Sequence, residues 1–235
     1  MIIGITGSFG SGKTTVANMF RRYGFKVIDV DKLYHNDFYK NHPLRNKIEK
    51  EFGTLSRSKL KKIVFSDYSK LRKLNKITHP TIIKKMKEKI QKIIKNANKE
   101  KRIIKKQLKN KIIIKQNNKN KIQKNNSNKK NIDNVKIIVD IPLLFEARLE
   151  KLFDRIIVVK ADKKAQIKRI LSKNKKYAKK EIEQIIKSQM PLKEKIKRAD
   201  FVVDNGEGLE DTERHVKELA NRIMCQGNTK NIFKL

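Results

Sequence analysis

The chain has a single cysteine, Cys225, and no tryptophan among its 235 residues. A lone thiol excludes an intramolecular disulfide framework and a Cys-rich zinc site. It suits a reducing compartment, and a cytoplasmic location is the expectation. Long apolar runs are missing, so no membrane span is expected. The first residues read as a strand and a loop, with no basic stretch ahead of an apolar one, so no secretory signal is expected either. Acidic residues are scarce: 24 Asp and Glu stand against 60 Lys and Arg, leaving a net charge of +36.

Aromatic residues are sparse too, and none occurs between Tyr68 and Phe145. Within that gap, Lys84 to Lys136 holds 20 basic and 3 acidic residues, a net +17. Such an excess invites a nucleic-acid reading. Proteins that hold single strands, however, stack bases on aromatic platforms, and this tract has none. Its Lys, Asn and Ile have AT-rich codons, so codon bias explains the composition without selection for charge. Nucleic-acid binding through residues 96–134 is therefore not the favoured reading.

Against these absences stands one dense motif, Gly7-Ser8-Phe9-Gly10-Ser11-Gly12-Lys13-Thr14. A Gly followed four residues later by Gly-Lys-Thr is the phosphate-cradling loop of nucleoside triphosphate enzymes. Gly7, Gly10 and Gly12 let the backbone N–H groups close on the phosphates. Lys13 supplies a charge for the outer phosphates, and the Thr14 hydroxyl is placed to ligate Mg²⁺. The context agrees: Ile2 to Thr6 reads as a buried strand, and Thr14 to Arg22 as a helix stopped by Gly24.

Further strands are expected at Phe25–Val30, Val135–Asp140, Phe153–Val159 and Phe201–Asp204. Helices are expected on both sides of Pro43, at Ser58–Tyr68 and Lys70–Thr78, and from Pro80, which opens a helix carrying Ile82, Ile83, Met86, Ile90, Ile93 and Ile94. Asp162 is a candidate cap for a helix reaching Ser172. A second helix covers Tyr177 to Met190 until Pro191 ends it, and a last one covers Leu209 to Met224. Residues 96–134 form a low-complexity insertion, mobile or loosely packed, with helix and hairpin both open for Ile103-Ile104 and Ile112 to Ile114. The alternation predicts an α/β fold, a doubly wound parallel sheet of about five strands flanked by helices. Ligands bind such a sheet at the carboxyl ends of its strands.

Acidic residues fall at those ends: Asp29 or Asp31, Asp140 and Asp204. Phosphoryl transfer to a hydroxyl needs a cation clamp and a group that orients the acceptor. Asp31 is the candidate orienter, because its strand follows the helix of the phosphate loop. A carboxylate is a weak base near neutrality, but orientation matters more than early proton abstraction in a loose transition state. Asp140 is the natural partner of Mg²⁺. A GTPase is disfavoured, since Asn75-Lys76-Ile77-Thr78 lacks the Asp that would read guanine.

Several elements in order carry a resemblance: the phosphate loop, Val27-Ile28-Asp29-Val30-Asp31, Ser56-Arg57-Ser58-Lys59-Leu60, Ile77-Thr78-His79-Pro80, Asp140-Ile141-Pro142-Leu143-Leu144-Phe145-Glu146, Gln166-Ile167-Lys168-Arg169, Gln189-Met190-Pro191, and Val203-Asp204-Asn205. Together they resemble the dephospho-CoA kinase family of phosphate-loop kinases. The resemblance implies ATP- and Mg²⁺-dependent phosphorylation of the ribose 3′-hydroxyl of dephospho-CoA, the last step of coenzyme A synthesis. It implies a single kinase domain over residues 1–235, with a helical acceptor-binding part at 53–95 and a helical lid at 162–198.

By the same resemblance, Asp31 is the catalytic aspartate, aided by Lys13 and the lid residue Arg169. Gly10, Ser11, Gly12, Lys13, Thr14 and Thr15 bind ATP, with Asn205 near the base. Arg57, His79 and Asp31 face the acceptor, and Thr14 and Asp140 hold the metal. Two departures stand out: Lys173 takes the place of a second lid arginine, and the connection from His79 to Asp140 is enlarged. Rival readings are another small-molecule kinase with a nucleoside or nucleotide acceptor, and a polyanion-binding protein on a kinase fold.

Overall fold

The computed structural model describes residues 1–38, 42–117, 135–173 and 177–225. Its centre is β1 (Ile2–Gly7), whose Ile3 and Ile5 are fully buried. An apolar run of this length, buried on both faces, suits a parallel strand covered by helices. β2 (Lys26–Asp29), β3 (Ile137–Asp140), β4 (Arg155–Lys160) and β5 (Phe201–Asp204) complete a sheet in the order β2-β3-β1-β4-β5. Every pairing is parallel. The doubly wound five-stranded sheet expected from the alternation is therefore present. The chain leaves β1 with β3 on one side and β4 on the other, so the carboxyl end of β1 opens into the crevice where the winding reverses.

On one face, α1 (Lys13–Met19), the 3-10 turn Phe20–Tyr23 and α9 (Leu209–Cys225) bury Val16, Ala17, Phe20, Val216, Ala220 and Ile223 against β1 and β4. Gly24 closes that turn in the left-handed region, as its place in the sequence suggested. The opposite face is covered by Met86 and Ile90 of α5 (Tyr68–Asn117) and by Leu144 and Phe145 of the loop after β3. A third cluster lies apart from the sheet. Leu44 and Ile48 of α3 (His42–Phe52) meet Leu60 and Val64 of α4 (Arg57–Ser66), with Leu71, Leu74 and Ile77 of α5 packed on them.

Pro80 does not open a helix; it sits inside α5, which runs unbroken from Tyr68. A proline there removes one backbone bond and costs about 3 kcal/mol. Packing on both sides outweighs it: Leu74 and Ile77 hold the turn before Pro80 in the third cluster, while Met86 and Ile90 hold the turns after it against the sheet. The break between α4 and α5 falls at Asp67, which leaves the helical region and accepts from the Ser69 N–H at 2.8 Å.

α5 also continues through the start of the presumed insertion as helix, to Asn117, which decides between helix and hairpin for both isoleucine groups. Ile93 and Ile94 pack on the core, and Ile103 is 48% exposed. Residues 118–134 lie outside the described residues.

The expected helix from Tyr177 to Met190 is shorter, α7 (Lys179–Lys187), and a further short helix follows, α8 (Leu192–Lys197). Pro191 both ends the first path and stands at the N-cap of the second. α6 (Lys163–Lys173) begins as expected after Asp162, whose carboxylate accepts from the Ala165 N–H. α2 (Val30–Phe38) follows directly on β2.

Candidate active site

The phosphate loop joins β1 to α1. Gly10 and Gly12 hold φ values of 79° and 87°, in the left-handed region that glycine alone adopts without strain. Space demands the same residues. A Cβ on Gly10 would stand 2.7 Å from Ile170 Cδ1 and 2.9 Å from the Gln166 carbonyl, both on α6. A Cβ on Gly12 would collide with the Asn205 amide. The loop is thus sandwiched between the sheet and two later segments of the chain.

Lys13 lies at the first turn of α1 with its ammonium donating to the Ser8 carbonyl at 3.3 Å. Burial is the largest influence on this lysine and lowers its pKa; Asp140 and Asp31 act in the opposite sense. Thr14 donates its hydroxyl to Oδ2 of Asp140 at 2.7 Å. Asp140 is only 4% exposed, and its Oδ1 has no protein partner. Burial pushes its pKa up to about 6, against the Thr14 hydrogen bond and the Lys13 charge. The Ser11 hydroxyl is also buried and unpartnered. Thr15 is exposed on α1.

The structure separates the two acidic candidates after β2. Asp29 pairs in register with Asp140 across β2 and β3, and its Oδ1 caps α2 by accepting from the Lys32 N–H at 2.9 Å. Asp31 is exposed in the first turn of α2, where its charge acts on both Lys13 and Asp140. Asp204 is committed elsewhere. It pairs with Lys160 at 2.8 Å and accepts from the Gly206 N–H at 2.9 Å. Burial alone would raise its pKa, but those partners hold it below the ordinary carboxylate value.

Arg169 reaches back from α6. One guanidinium nitrogen, Nη2, donates to the Asn205 carbonyl at 2.6 Å. The other, Nη1, is buried beside Gly12 with no protein partner. An unpaired buried guanidinium N–H is expensive unless an anion meets it, and it faces the loop built for one. Asn205 is buried and its side chain is fully used within the protein: Nδ2 donates to the Ser11 carbonyl at 2.7 Å and Oδ1 accepts from Thr212 at 2.9 Å. It braces the phosphate loop directly, a role its expected position near the base did not suggest.

His79 lies half-buried on α5, and burial lowers its pKa, which keeps it neutral near pH 7. Arg57 opens α4; its side chain lies outside the described residues. Lys173 is exposed in the last turn of α6, and residues 174–176 lie outside the described residues.

Several residues that support the loop were not singled out as site residues from the sequence. The Phe9 N–H donates to Gln189 Oε1 at 2.8 Å. The Phe9 ring lies 5.7 Å from that of Tyr177, over which the Lys61 ammonium of α4 sits at 3.1 Å. Glu146 and Lys195 form an ion pair at 2.8 Å. Gln189 and Glu146 belong to motifs that were legible as motifs, whereas nothing marks Lys195 among 60 basic residues.

Among the described residues, no helix is long and apolar enough to cross a membrane. No group of three or more His, Cys, Asp or Glu residues among them is arranged to hold a metal by itself.

The family model for dephospho-CoA kinase matches this chain over residues 1–104 and 95–211. Among curated relatives, the dephospho-CoA kinase of Carboxydothermus hydrogenoformans is 33% identical, with 94% of this chain and 93% of the relative covered. That of Fusobacterium nucleatum is 35% identical, with 95% and 98% covered. Among solved structures, a protein of Thermus thermophilus aligns with a TM-score of 0.63 at 27% identity, covering 95% of this chain and 97% of that one. The dephospho-CoA kinase of Campylobacter jejuni aligns with a TM-score of 0.55 at 26% identity, covering 94% and 96%. With the family model matched over most of its length and these relatives covered almost end to end, the chain belongs to the dephospho-CoA kinase family.

Proposed function

We propose that the protein transfers the γ-phosphoryl group of ATP to the ribose 3′-hydroxyl of dephospho-CoA, giving CoA and ADP. The observation that carries this reading is the meeting of Lys13, Asp31 and Asp140 at the carboxyl ends of neighbouring parallel strands, each within the field of the others. Family membership supplies the acceptor.

The loop amides from Gly10 to Thr15 and the Lys13 ammonium hold the β- and γ-phosphates. Thr14 and Asp140 would hold Mg²⁺, and the donor set fits: a hydroxyl beside one carboxylate whose second oxygen is buried and unpartnered. A cation held by so few protein oxygens takes its other ligands from phosphate and water. A divalent cation held by Thr14 and Asp140 would supply positive charge against the phosphates.

Asp31 accepts the hydrogen bond of the attacking hydroxyl and aims its oxygen at the γ-phosphorus; the proton passes to this carboxylate as the new P–O bond forms. Arg169 presents Nη1 to the negative charge of the transferred group, while Nη2 stays fixed on the Asn205 carbonyl. Neutral His79 and Arg57 belong to the helical acceptor-binding part, residues 53–95, and His79 offers a hydrogen bond rather than a charge. The lid, residues 162–198, closes over the nucleotide and excludes water.

The test is direct. Incubation with Mg-ATP and a panel of acceptors should give a one-phosphate mass gain on dephospho-CoA. No gain there, with robust gain on a nucleoside, overturns the reading.

A further inference from the structure

Lys195 is a lysine with no exposed side-chain surface, in the short helix α8. A buried ammonium is costly unless it is paired. Its partner is Glu146, at 2.8 Å, in the loop after β3. The same carboxylate oxygen accepts from the Met190 N–H at 2.9 Å. Met190 follows Gln189, and Gln189 Oε1 accepts the Phe9 N–H at 2.8 Å. These contacts form one chain: α8, Glu146, the backbone at 190, the side chain at 189, and the phosphate loop. A hydrophobic pair of similar shape would fill the same space at no lower stability, so the charges call for a reason beyond packing.

The reason lies in where the chain ends. Phe9 sits inside the phosphate loop, and the orientation of its peptide plane helps set the direction of the neighbouring N–H groups. The pair is also close enough for both of its charges to act on Lys13, in opposite senses. Intact, its two charges act against each other at Lys13. Broken, it presents a charge whose sign depends on the partner removed.

We infer that Glu146, Lys195 and Gln189 are positioning residues that fix the phosphate loop for ATP from the side of the 162–198 segment. None of them touches the reacting atoms. The inference rests on the proposed use of ATP but not on the identity of the acceptor, so it is tested by nucleotide binding rather than by turnover.

The experiment measures the Kd of Mg-ATP by titration calorimetry and the thermal midpoint for K195M, E146Q, the double variant E146Q/K195M and Q189L. K195M leaves a carboxylate facing the triphosphate and should bind Mg-ATP about tenfold or more weakly. E146Q keeps an oxygen acceptor for Met190 but takes the carboxylate from a buried ammonium, so it should weaken Mg-ATP binding less than K195M does while lowering the thermal midpoint. The double variant should recover most of the affinity lost in K195M. Q189L should weaken binding about three- to tenfold with little change in thermal midpoint, the scale of one lost hydrogen bond.

A purely structural pair predicts otherwise: both single variants lose stability, and the folded fraction of each binds Mg-ATP like the parent. Parent-like binding by K195M and Q189L, or a double variant no better than K195M, overturns the inference. If K195M fails to fold, Q189L and the double variant decide: parent-like binding by Q189L, or weakening of the double variant as great as tenfold, counts against it. Failure of the parent itself to bind Mg-ATP would instead refute the proposed use of ATP.

Discussion

The Thr14 hydroxyl donates to Asp140 Oδ2 at 2.7 Å, joining the helix of the phosphate loop to the strand beside it. The other oxygen of that carboxylate is buried without a partner, so the contact leaves a lone pair aimed where a cation would neutralise it. In the absence of a cation, Asp140 weighs against the fold.

Asp140 therefore has a pH signature. Its folded pKa, about 6, lies above the unfolded value of 3.8. Between those values the folded state holds more protons than the unfolded one, so this group's stabilisation is full below about pH 4 and is lost as pH rises through about 6. Without nucleotide and metal, Asp140→Asn should be more stable than the parent at pH 7.5, on the order of 1–3 kcal/mol. The gap should close towards pH 4.5 in urea denaturation. The same variant should lose at least about a hundredfold in turnover with Mg-ATP. A gap that widens on acidification would show that the Asp140 charge is stabilising, contrary to its burial.

Asp31→Ala separates orientation from binding. Asp31 is exposed in the first turn of α2, and as the orienter of the acceptor its loss should lower kcat by about a thousandfold while the Kd for Mg-ATP moves less than about threefold. Equal losses in both, measured by steady-state kinetics and titration calorimetry, would mean that Asp31 has been given the wrong role.

Gly10→Ala puts a methyl group 2.7 Å from Ile170 Cδ1 at a φ of 79°. Backbone strain of that kind costs about 1–2 kcal/mol, and α6 must shift to make room. The variant should fold with a lower melting temperature and bind ATP at least about tenfold more weakly, because Arg169 rides on the same helix. Parent-like affinity would show that α6 need not rest on the loop.

Much of this was legible in the sequence because it rests on local rules. The glycine spacing foretold the loop, period and punctuation foretold the strands, and the order of strands and helices foretold the parallel sheet. Pro80 misled because a local breaker was overruled by packing on either side of it, at Leu74 in one cluster and at Met86 in another. α8 was missed because its six residues are too few to show a period. Asn205 and Lys195 were beyond local reading for a different reason. Their roles depend on partners at Ser11 and Glu146, brought close only when the sheet is assembled. The preference for Asp31 over Asp29 came from the sequence, whereas the part Asp29 plays as the cap of α2 shows only in the folded chain.

The Arg169 fork is divided, with Nη2 held by the Asn205 carbonyl and Nη1 buried without a protein partner. Arg169→Lys keeps a charge but loses that division, so kcat should fall about ten- to a hundredfold; Arg169→Ala should lose about a thousandfold. The ordering is the test: a lysine variant as active as the parent would mean that only the charge counts.

The central claim is the transfer of one phosphoryl group to one hydroxyl. Phosphorus NMR of the product made from dephospho-CoA and Mg-ATP measures it most directly. The account predicts a single new phosphate monoester coupled to the ribose H3′, appearing together with ADP. A monoester on another hydroxyl, or no product from dephospho-CoA while a nucleoside is phosphorylated readily, would contradict it.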